Sequence, residues 1–316
     1  MENRQLGNSD LYIAPLVLGG NVFGWTIDEQ QSFAILDSFA EKGFNSIDTA
    51  DVYSRWAPGN KGGESEAIIG KWMKVRNNRD KMVVATKVGA DMGQGHKDIR
   101  GQYILQEIDQ SLQRLQTDYI DLYFTHWDDN TTPVEETLSA YDKLIKTGKI
   151  RWIGASNLSP QRLQASLDAS ENKGLPKYEV FQPEYNLYNR QGFEQGVGPI
   201  CKENNIGIVC YYSLASGFLS GKYRSEKDLG KSVRGGGVKK YLNERGMNIL
   251  NALDAVSAKH NTTPSAVALA WLMHSPVVTA PIASATKESH VQSFVDAASL
   301  QLDKEDMQRL NSASAY

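Results

Sequence analysis

The chain has almost nothing with which to staple itself, holding two cysteines, Cys201 and Cys210, in 316 residues. Two thiols make no disulfide framework and fit a reducing compartment, where a free cysteine is most often a small buried side chain. A functional thiol stays open as the alternative. Charge of one sign is also missing. The net charge is −3 and Lys239-Lys240 is too short to form a basic stripe, so nucleic acid is not an expected partner. No apolar run approaches the roughly 20 residues that span a bilayer, and Met1 to Gly7 lacks the apolar core of a secretory signal, so the expected location is cytoplasmic, away from membranes. The histidines (His96, His126, His260, His274 and His290) show no metal-ligand spacing, and no metal site is expected. There is no Gly-x-Ser-x-Gly elbow and no P-loop. The turn Leu18-Gly19-Gly20-Asn21-Val22-Phe23-Gly24 misses the Gly-x-Gly-x-x-Gly spacing, against a doubly wound dinucleotide fold.

What is present is alternation. Short apolar runs occur at Pro15 to Leu18, Asn45 to Ile47, Met82 to Thr86, Ile120 to Thr125, Trp152 to Ala155, Val180-Phe181, Gly207 to Tyr211 and Val278 to Ile282. Runs of this kind suit strands buried on both faces of a parallel sheet. Helix signals lie between them. Thr132-Pro133-Val134-Glu135, Ser159-Pro160 and Thr263-Pro264 read as cap-then-proline starts, and Gly43, Gly148 and Gly174 as stops. Phe33, Leu36 and Phe39 share one helical face. Strand-helix units without a linker predict an α/β fold, a (β/α)8 TIM barrel in one domain over residues 1–316. The residues around Asn8-Ser9-Asp10 read as an N-terminal β-hairpin capping the barrel bottom. Lys222 to Arg245, with Arg234-Gly235-Gly236-Gly237, reads as a long, mobile functional loop after strand seven.

In this fold active residues follow the strands. Asp48, Lys87, His126, Ser156-Asn157, Gln182, Tyr211 and Ser284 each follow an apolar run directly. With Tyr53 they include an acid, a phenol, an ammonium and an imidazole, a set suited to proton transfer. Any one of these has an ordinary structural reading, such as a rim tyrosine or a solvated ion pair. It is the set at matching strand ends that points to chemistry.

These fragments, with Asp48-Thr49-Ala50, Ala85-Thr86-Lys87, Gly154-Ala155-Ser156-Asn157 and Gly217 to Tyr223, resemble the aldo-keto reductase superfamily over nearly the whole chain. The resemblance is nearest to the bacterial and potassium-channel-β-like branch. It implies that Tyr53 gives a proton to a carbonyl oxygen while hydride reaches the carbon. A free phenol titrates near about 10, and Lys87 is expected to lower it toward working pH. Asp48 would hold Lys87 charged, and His126 would position the carbonyl oxygen.

The resemblance further implies NADP(H), with NAD(H) possible. Tyr211 would stack on nicotinamide, and Ser156, Asn157 and Gln182 would hold its carboxamide. Gly20, Asn21, Leu214, Ala215, Gly217, Leu219, Lys222 and Arg234 would lie along the rest of the cofactor. The chain departs from the pattern at the last barrel helix. Ala283, Ser284 and Ser289 stand where a Lys-Ser pair and an Arg often bind the 2′-phosphate, leaving Ser284, Thr286 and Lys287 to meet it. Gln292 and Ser293 replace a Glu-Asn pair near adenine, and Tyr212-Ser213 replaces a Ser-Pro. Phe23, Trp25, Trp56 and Trp127 are expected to line a pocket for a partly apolar carbonyl compound, with Asp128-Asp129 turning anions away. The expected activity is NAD(P)H-dependent reduction of aldehydes or ketones to alcohols. The alternatives are a cofactor-binding redox sensor or a sugar or cyclitol dehydrogenase running oxidatively. Natural substrate and oligomeric state are left open.

Overall fold

The structure is a computed structural model that describes residues 2–316. A hairpin of β1 (Arg4–Gln5) and β2 (Tyr12–Ile13) comes first. Eight parallel strands then follow: β3 (Val17–Gly19), β4 (Ser46–Asp48), β5 (Val83–Val88), β6 (Ile120–Thr125), β7 (Ile150–Ser156), β8 (Val180–Gln182), β9 (Gly207–Cys210) and β10 (Ala280–Ala283). They pair in chain order and close into a barrel where β10 meets β3, Ile282 beside Val17. This is the (β/α)8 barrel that the alternation predicts.

The helices that follow the strands are α1 (Glu29–Glu41), α2 (Glu64–Arg76), α3 (Gly101–Leu115), α4 (Val134–Lys146), α5 (Pro160–Lys173), α6 (Gly198–Glu203), α7 (Glu244–Lys259), α8 (Pro264–His274), α9 (Glu288–Ser299) and α10 (Lys304–Ala313). Two of the cap-then-proline starts behave as expected. Ser159 accepts from the Arg162 amide and Thr263 from the Ala266 amide. The third is shifted, with Pro133 itself at the cap position of α4. The Thr132 hydroxyl donates to Asp129 instead, at 2.6 Å. Gly43, Gly148 and Gly174 all take positive φ at helix ends, where a side chain would be strained. Among the described residues, no helix is long and apolar enough to cross a membrane.

Two apolar cores are separated by the strands. One lies between barrel and helices. The other fills the barrel, where Val17, Ala85, Leu122, Phe124, Val180, Val209, Ala280 and Ile282 meet Leu6, Leu11 and Ile13 of the hairpin. The hairpin therefore plugs the bottom with apolar side chains, each stabilising by roughly 1.5–3 kcal/mol when fully buried. Gly7 lets it sit there. A Cβ on Gly7 would stand 2.2 Å from the Glu179 carbonyl oxygen, and its φ is +57°. Gly7→Ala is expected to cost about 1–3 kcal/mol, whereas Gly43→Ala, with nothing within 4 Å of the new methyl, carries the positive-φ strain alone. Thermal unfolding of both variants checks this, and equal melting temperatures would refute the close-contact argument.

The segment after β9 departs from expectation. It is built of 3-10 turns at Ala215–Ser220, Glu226–Lys231 and Gly235–Tyr241, and Val238 and Tyr241 are buried in the outer core. A capping box at Ser225 and Asp228 starts the second turn. Glycines and lysines masked these anchors in the sequence. Both thiols are buried, and burial pushes Cys201 and Cys210 up to about 12, which leaves them unreactive.

Candidate active site

The side-chain period of two explains how the site is assembled. Residues facing the barrel interior alternate along each strand, as Ala85 on β5, Leu122 and Phe124 on β6, Val180 on β8 and Val209 on β9 show. Two residues further up, the same faces carry Lys87, His126, Gln182 and Tyr211. On β4 and β7 the corresponding positions are Asp48 and Ser156. Polar groups thus converge on the C-terminal mouth above an apolar plug.

Lys87 is completely buried. Its Nζ donates to Asp48 Oδ2 at 2.6 Å, to the Thr49 carbonyl oxygen at 2.7 Å and to the Tyr53 hydroxyl at 2.8 Å. All three ammonium donors are satisfied, the condition under which a buried lysine stays charged. The other oxygen of Asp48 accepts from Gln182 Nε2 at 2.8 Å. Burial lowers Lys87, and the Asp48 carboxylate opposes that. Tyr53 is pushed well above the usual phenol range, first by burial and then by Asp48, to which its hydroxyl donates at 3.3 Å. The expectation that Lys87 brings the phenol down is therefore corrected: burial and the Asp48 carboxylate outweigh an ammonium that the Tyr53 hydroxyl shares with Asp48 and the Thr49 carbonyl. A phenol raised in this way is protonated at neutral pH, the state an acid requires.

Tyr53 comes from the loop after β4, which is pinned from below. The Ser54 hydroxyl donates to the Phe23 carbonyl at 2.6 Å, and Ser54 takes φ +71°. His126 is anchored by its amide on Val88 O at 2.8 Å and by Asn157 Nδ2 on its own carbonyl at 2.9 Å. Its Nδ1 is buried without a partner. Burial, then Lys87, hold the imidazole well below its ordinary range, so it is neutral and donates from one nitrogen only. The Tyr53 and His126 rings are 6.0 Å apart.

Above them opens a cavity of about 700 Å³. Tyr53, His126, Ser156, Asn157, Gln182 and Tyr211 form its floor, and Asp48 reaches it. Several of these bond one another first. Tyr211 donates to Asn157 Oδ1 at 2.9 Å, and Ser156 Oγ to the Gln182 carbonyl at 2.8 Å. Asn157 Nδ2 in turn donates to Ser156 Oγ at 3.0 Å, so these side chains hold one another in place. Asn21, Leu214, Gly217, Lys222, Arg234 and Thr286 also border it, as do Ala283 and Ser284. Ser284 is already committed to Asn21 Oδ1 at 2.6 Å. Arg234 lies 5.2 Å over the Trp25 ring, with Nη2 buried and unpartnered. A buried guanidinium nitrogen beside a cavity fits an anionic group.

Other expected residues lie elsewhere. Phe23, Ala215 and Leu219 are wholly buried in the outer core. Gly20 is buried against Ser65, and Lys87 stands behind Tyr53. Trp25 packs edge-on against Trp56 rather than bordering the cavity. Lys287, Ser289 and Gln292 do not border it, and Gln292 turns outward to Asp296. Asp128 does not face the cavity, because Arg162 holds both its oxygens. Trp56 and Trp127 do border it, and both are exposed. Sequence reasoning missed Glu184, Tyr212, Val233 and His290. Glu184 was readable as the next inward step after Gln182. His290 shares a helical face with Ser293 and Phe294, which the choice of Gln292 overlooked. Tyr212 borders it at a left-handed backbone angle, φ +53°.

Comparison with known proteins gives the family. The family model for the aldo/keto reductase family matches residues 15–315, and the chain belongs to that family. It is 32% identical to an uncharacterized oxidoreductase, YrpG, of Bacillus subtilis, over 98% of this chain and 95% of that protein. It is 31% identical to norsolorinic acid reductase of Aspergillus flavus, over 96% and 78% of the two chains. It is 30% identical to L-glyceraldehyde 3-phosphate reductase of Escherichia coli O157:H7, over 94% and 87%. Membership places the chain among oxidoreductases acting on small-molecule carbonyl compounds.

Proposed function

We propose that the protein reduces an aldehyde or ketone to an alcohol with a reduced nicotinamide cofactor, NADPH by preference, and that Tyr53 supplies the proton. The observation that carries this reading is the run of short bonds from Gln182 through Asp48 and Lys87 to the Tyr53 hydroxyl, ending beside His126 at the cavity floor. The cofactor, when bound, supplies hydride to the carbonyl carbon. Tyr211, Ser156, Asn157 and Gln182 would orient its nicotinamide, and Arg234 and Lys222 would meet its phosphates. The Tyr53 hydroxyl gives its proton to the nascent alkoxide, and Lys87, 2.8 Å away, steadies the phenolate left behind. Neutral His126 donates a hydrogen bond to the carbonyl oxygen and fixes its direction. In reverse, the same phenolate is the base.

The mouth of the cavity carries exposed Trp56, Trp127, Tyr212 and Val233, which favours a substrate with an apolar or aromatic body. Norsolorinic acid and a phosphorylated triose, named for two relatives, bracket the class widely. The test is loss of reduced-cofactor absorbance with NADPH or NADH over a panel of aromatic and aliphatic aldehydes. Aromatic aldehydes are expected to give kcat/KM at least about tenfold above short aliphatic ones, a difference of about 1.4 kcal/mol in transition-state binding. An unchanging cofactor signal over the whole panel would overturn the reading.

A further inference from the structure

Behind the catalytic network, on the outer face of β5, the barrel buries more acid than it pairs. Lys87 faces inward, so Thr86 faces outward, beside its partner Tyr123 on β6. Around these two stand Asp51 from the loop after β4, Glu66 from α2, and Glu107 and Arg114 from α3, with all three carboxylates buried. Arg114 Nε donates to Glu66 Oε2 at 2.6 Å, and its Nη2 to Glu107 Oε1 at 2.7 Å. The Thr86 hydroxyl donates to Glu66 Oε1 at 2.5 Å. Asp51 has only the Val52 amide, which donates to its Oδ1 at 2.6 Å, while its Oδ2 is buried without a partner. The Tyr123 hydroxyl is also buried without a partner, and after burial the Asp51 carboxyl acts on it most strongly. We infer that Asp51 is a positioning residue for Tyr53 and that it works as an uncharged acid. The inference rests on the part given to Tyr53 above.

Three buried carboxylates share one guanidinium, and that guanidinium is bonded to Glu66 and Glu107. Lys87, across the strand, is bonded to Asp48. A buried carboxyl that has neither a cation nor a partner for one oxygen sheds its charge by taking a proton. The proton therefore falls to Asp51, and burial, then Glu66 and Glu107, hold its carboxyl well above the usual range. The phenols facing it, Tyr123 and the half-buried Tyr103 of α3, are raised too and stay protonated.

Asp51 joins the two catalytic residues through their backbones. Its amide donates to the Lys87 carbonyl at 3.3 Å, and its Oδ1 holds the Val52 amide, one residue before Tyr53. The turn that carries the phenol is thereby set against the strand that carries the ammonium. An ionised Asp51 would be repelled by Glu66 and Glu107 and would pull that turn from its place. Asp51→Asn keeps an acceptor for the Val52 amide and puts a donor where the acid proton was. Asp51→Ala removes both.

In Asp51→Ala, kcat is expected to fall about tenfold through misplacement of Tyr53, and Asp51→Asn is expected to restore it to within about twofold of the parent. NADPH affinity stays within about twofold in both and reports an intact cavity. Urea unfolding from about pH 5 to about pH 8 reads the proton. An unfolded Asp51 releases it near about 4, whereas the folded chain keeps it. The parent therefore loses stability as pH rises above about 4, and its unfolding constant grows by up to about tenfold per unit relative to that of Asp51→Asn, until pH passes the folded value. Glu107→Gln keeps this slope, which assigns the proton to Asp51. Parallel profiles for the parent and Asp51→Asn, or a slope that disappears in Glu107→Gln, overturn the uncharged acid. An undiminished kcat in Asp51→Ala overturns the positioning. A parent without turnover overturns the proposed function and the positioning with it, while the urea comparison still decides the proton.

Discussion

Tyr53→Phe is expected to lower kcat by about 10²–10⁴-fold, the usual worth of a positioned general acid, and to leave cofactor affinity within about twofold. The substitution deletes one hydroxyl. The ring keeps its edge contact with Trp56 at 6.0 Å and its place under the Lys87 ammonium. Lys87 keeps Asp48 and the Thr49 carbonyl as partners. The floor of the cavity therefore stays built, and only the proton source is lost. Steady-state absorbance assays, together with fluorescence titration of NADPH, separate the two effects. Turnover within about tenfold of the parent would remove Tyr53 from the chemistry. The direction of its pKa adds a second expectation. Because burial and Asp48 raise the phenol above its ordinary value, the protonated form persists through working pH, and the reductive kcat should be flat from about pH 6 to about pH 9. A fall across that range would mean that Lys87 dominates the phenol after all.

The parts of this site that lie on strands were legible because strand geometry is periodic. Once Ala85 is known to face inward, Lys87 must face inward too, and the same step takes Val180 to Gln182 and Val209 to Tyr211. The barrel was legible for a related reason, since strands buried on both faces leave apolar runs that no surface element shows. The helix-borne part was harder to read. Gln292 and His290 are two residues apart on α9, and a rotation of about 200° separates a side chain facing the cavity from one that bonds Asp296. Phe23 and Trp25 show the limit for loops. An aromatic near a catalytic tyrosine can line a cavity or pack beneath it, and here Phe23 is buried and its carbonyl anchors Ser54. The turns between Lys222 and Arg245 were hidden because their anchors, Val238 and Tyr241, are isolated apolar residues in a polar, glycine-rich run.

Lys87→Met should be the most destabilising single change at the site. It removes the cation but leaves Asp48, which is 2% exposed, with only Gln182 and the Tyr53 hydroxyl as partners. Breaking a buried pair from one side costs about 3–5 kcal/mol, because the remaining carboxylate must be buried uncompensated or take a proton. Asp48→Asn leaves the opposite charge, a buried ammonium beside the Thr49 carbonyl and Tyr53. The double variant Lys87→Met/Asp48→Asn removes both charges and should recover most of the loss, although its activity should remain absent. Urea unfolding of all four proteins closes the cycle. The expected coupling is at least about 2 kcal/mol in the direction of rescue. Additive losses would mean that the pair is held together by the barrel rather than by its own charges. The pH dependence distinguishes the same cases. In Lys87→Met the unpaired Asp48 is expected to titrate above the ordinary carboxylate value, since burial is no longer offset by an ammonium. A carboxylate whose folded pKa is raised binds its proton more tightly in the folded state than in the unfolded one. The stability deficit of Lys87→Met should therefore shrink as pH falls toward the unfolded value of about 4 and grow as pH rises through the folded one. The double variant has no carboxylate there and should show no such slope. That contrast assigns the slope to the Asp48 carboxylate, because the loss of packing around the substituted methionine would be the same at every pH.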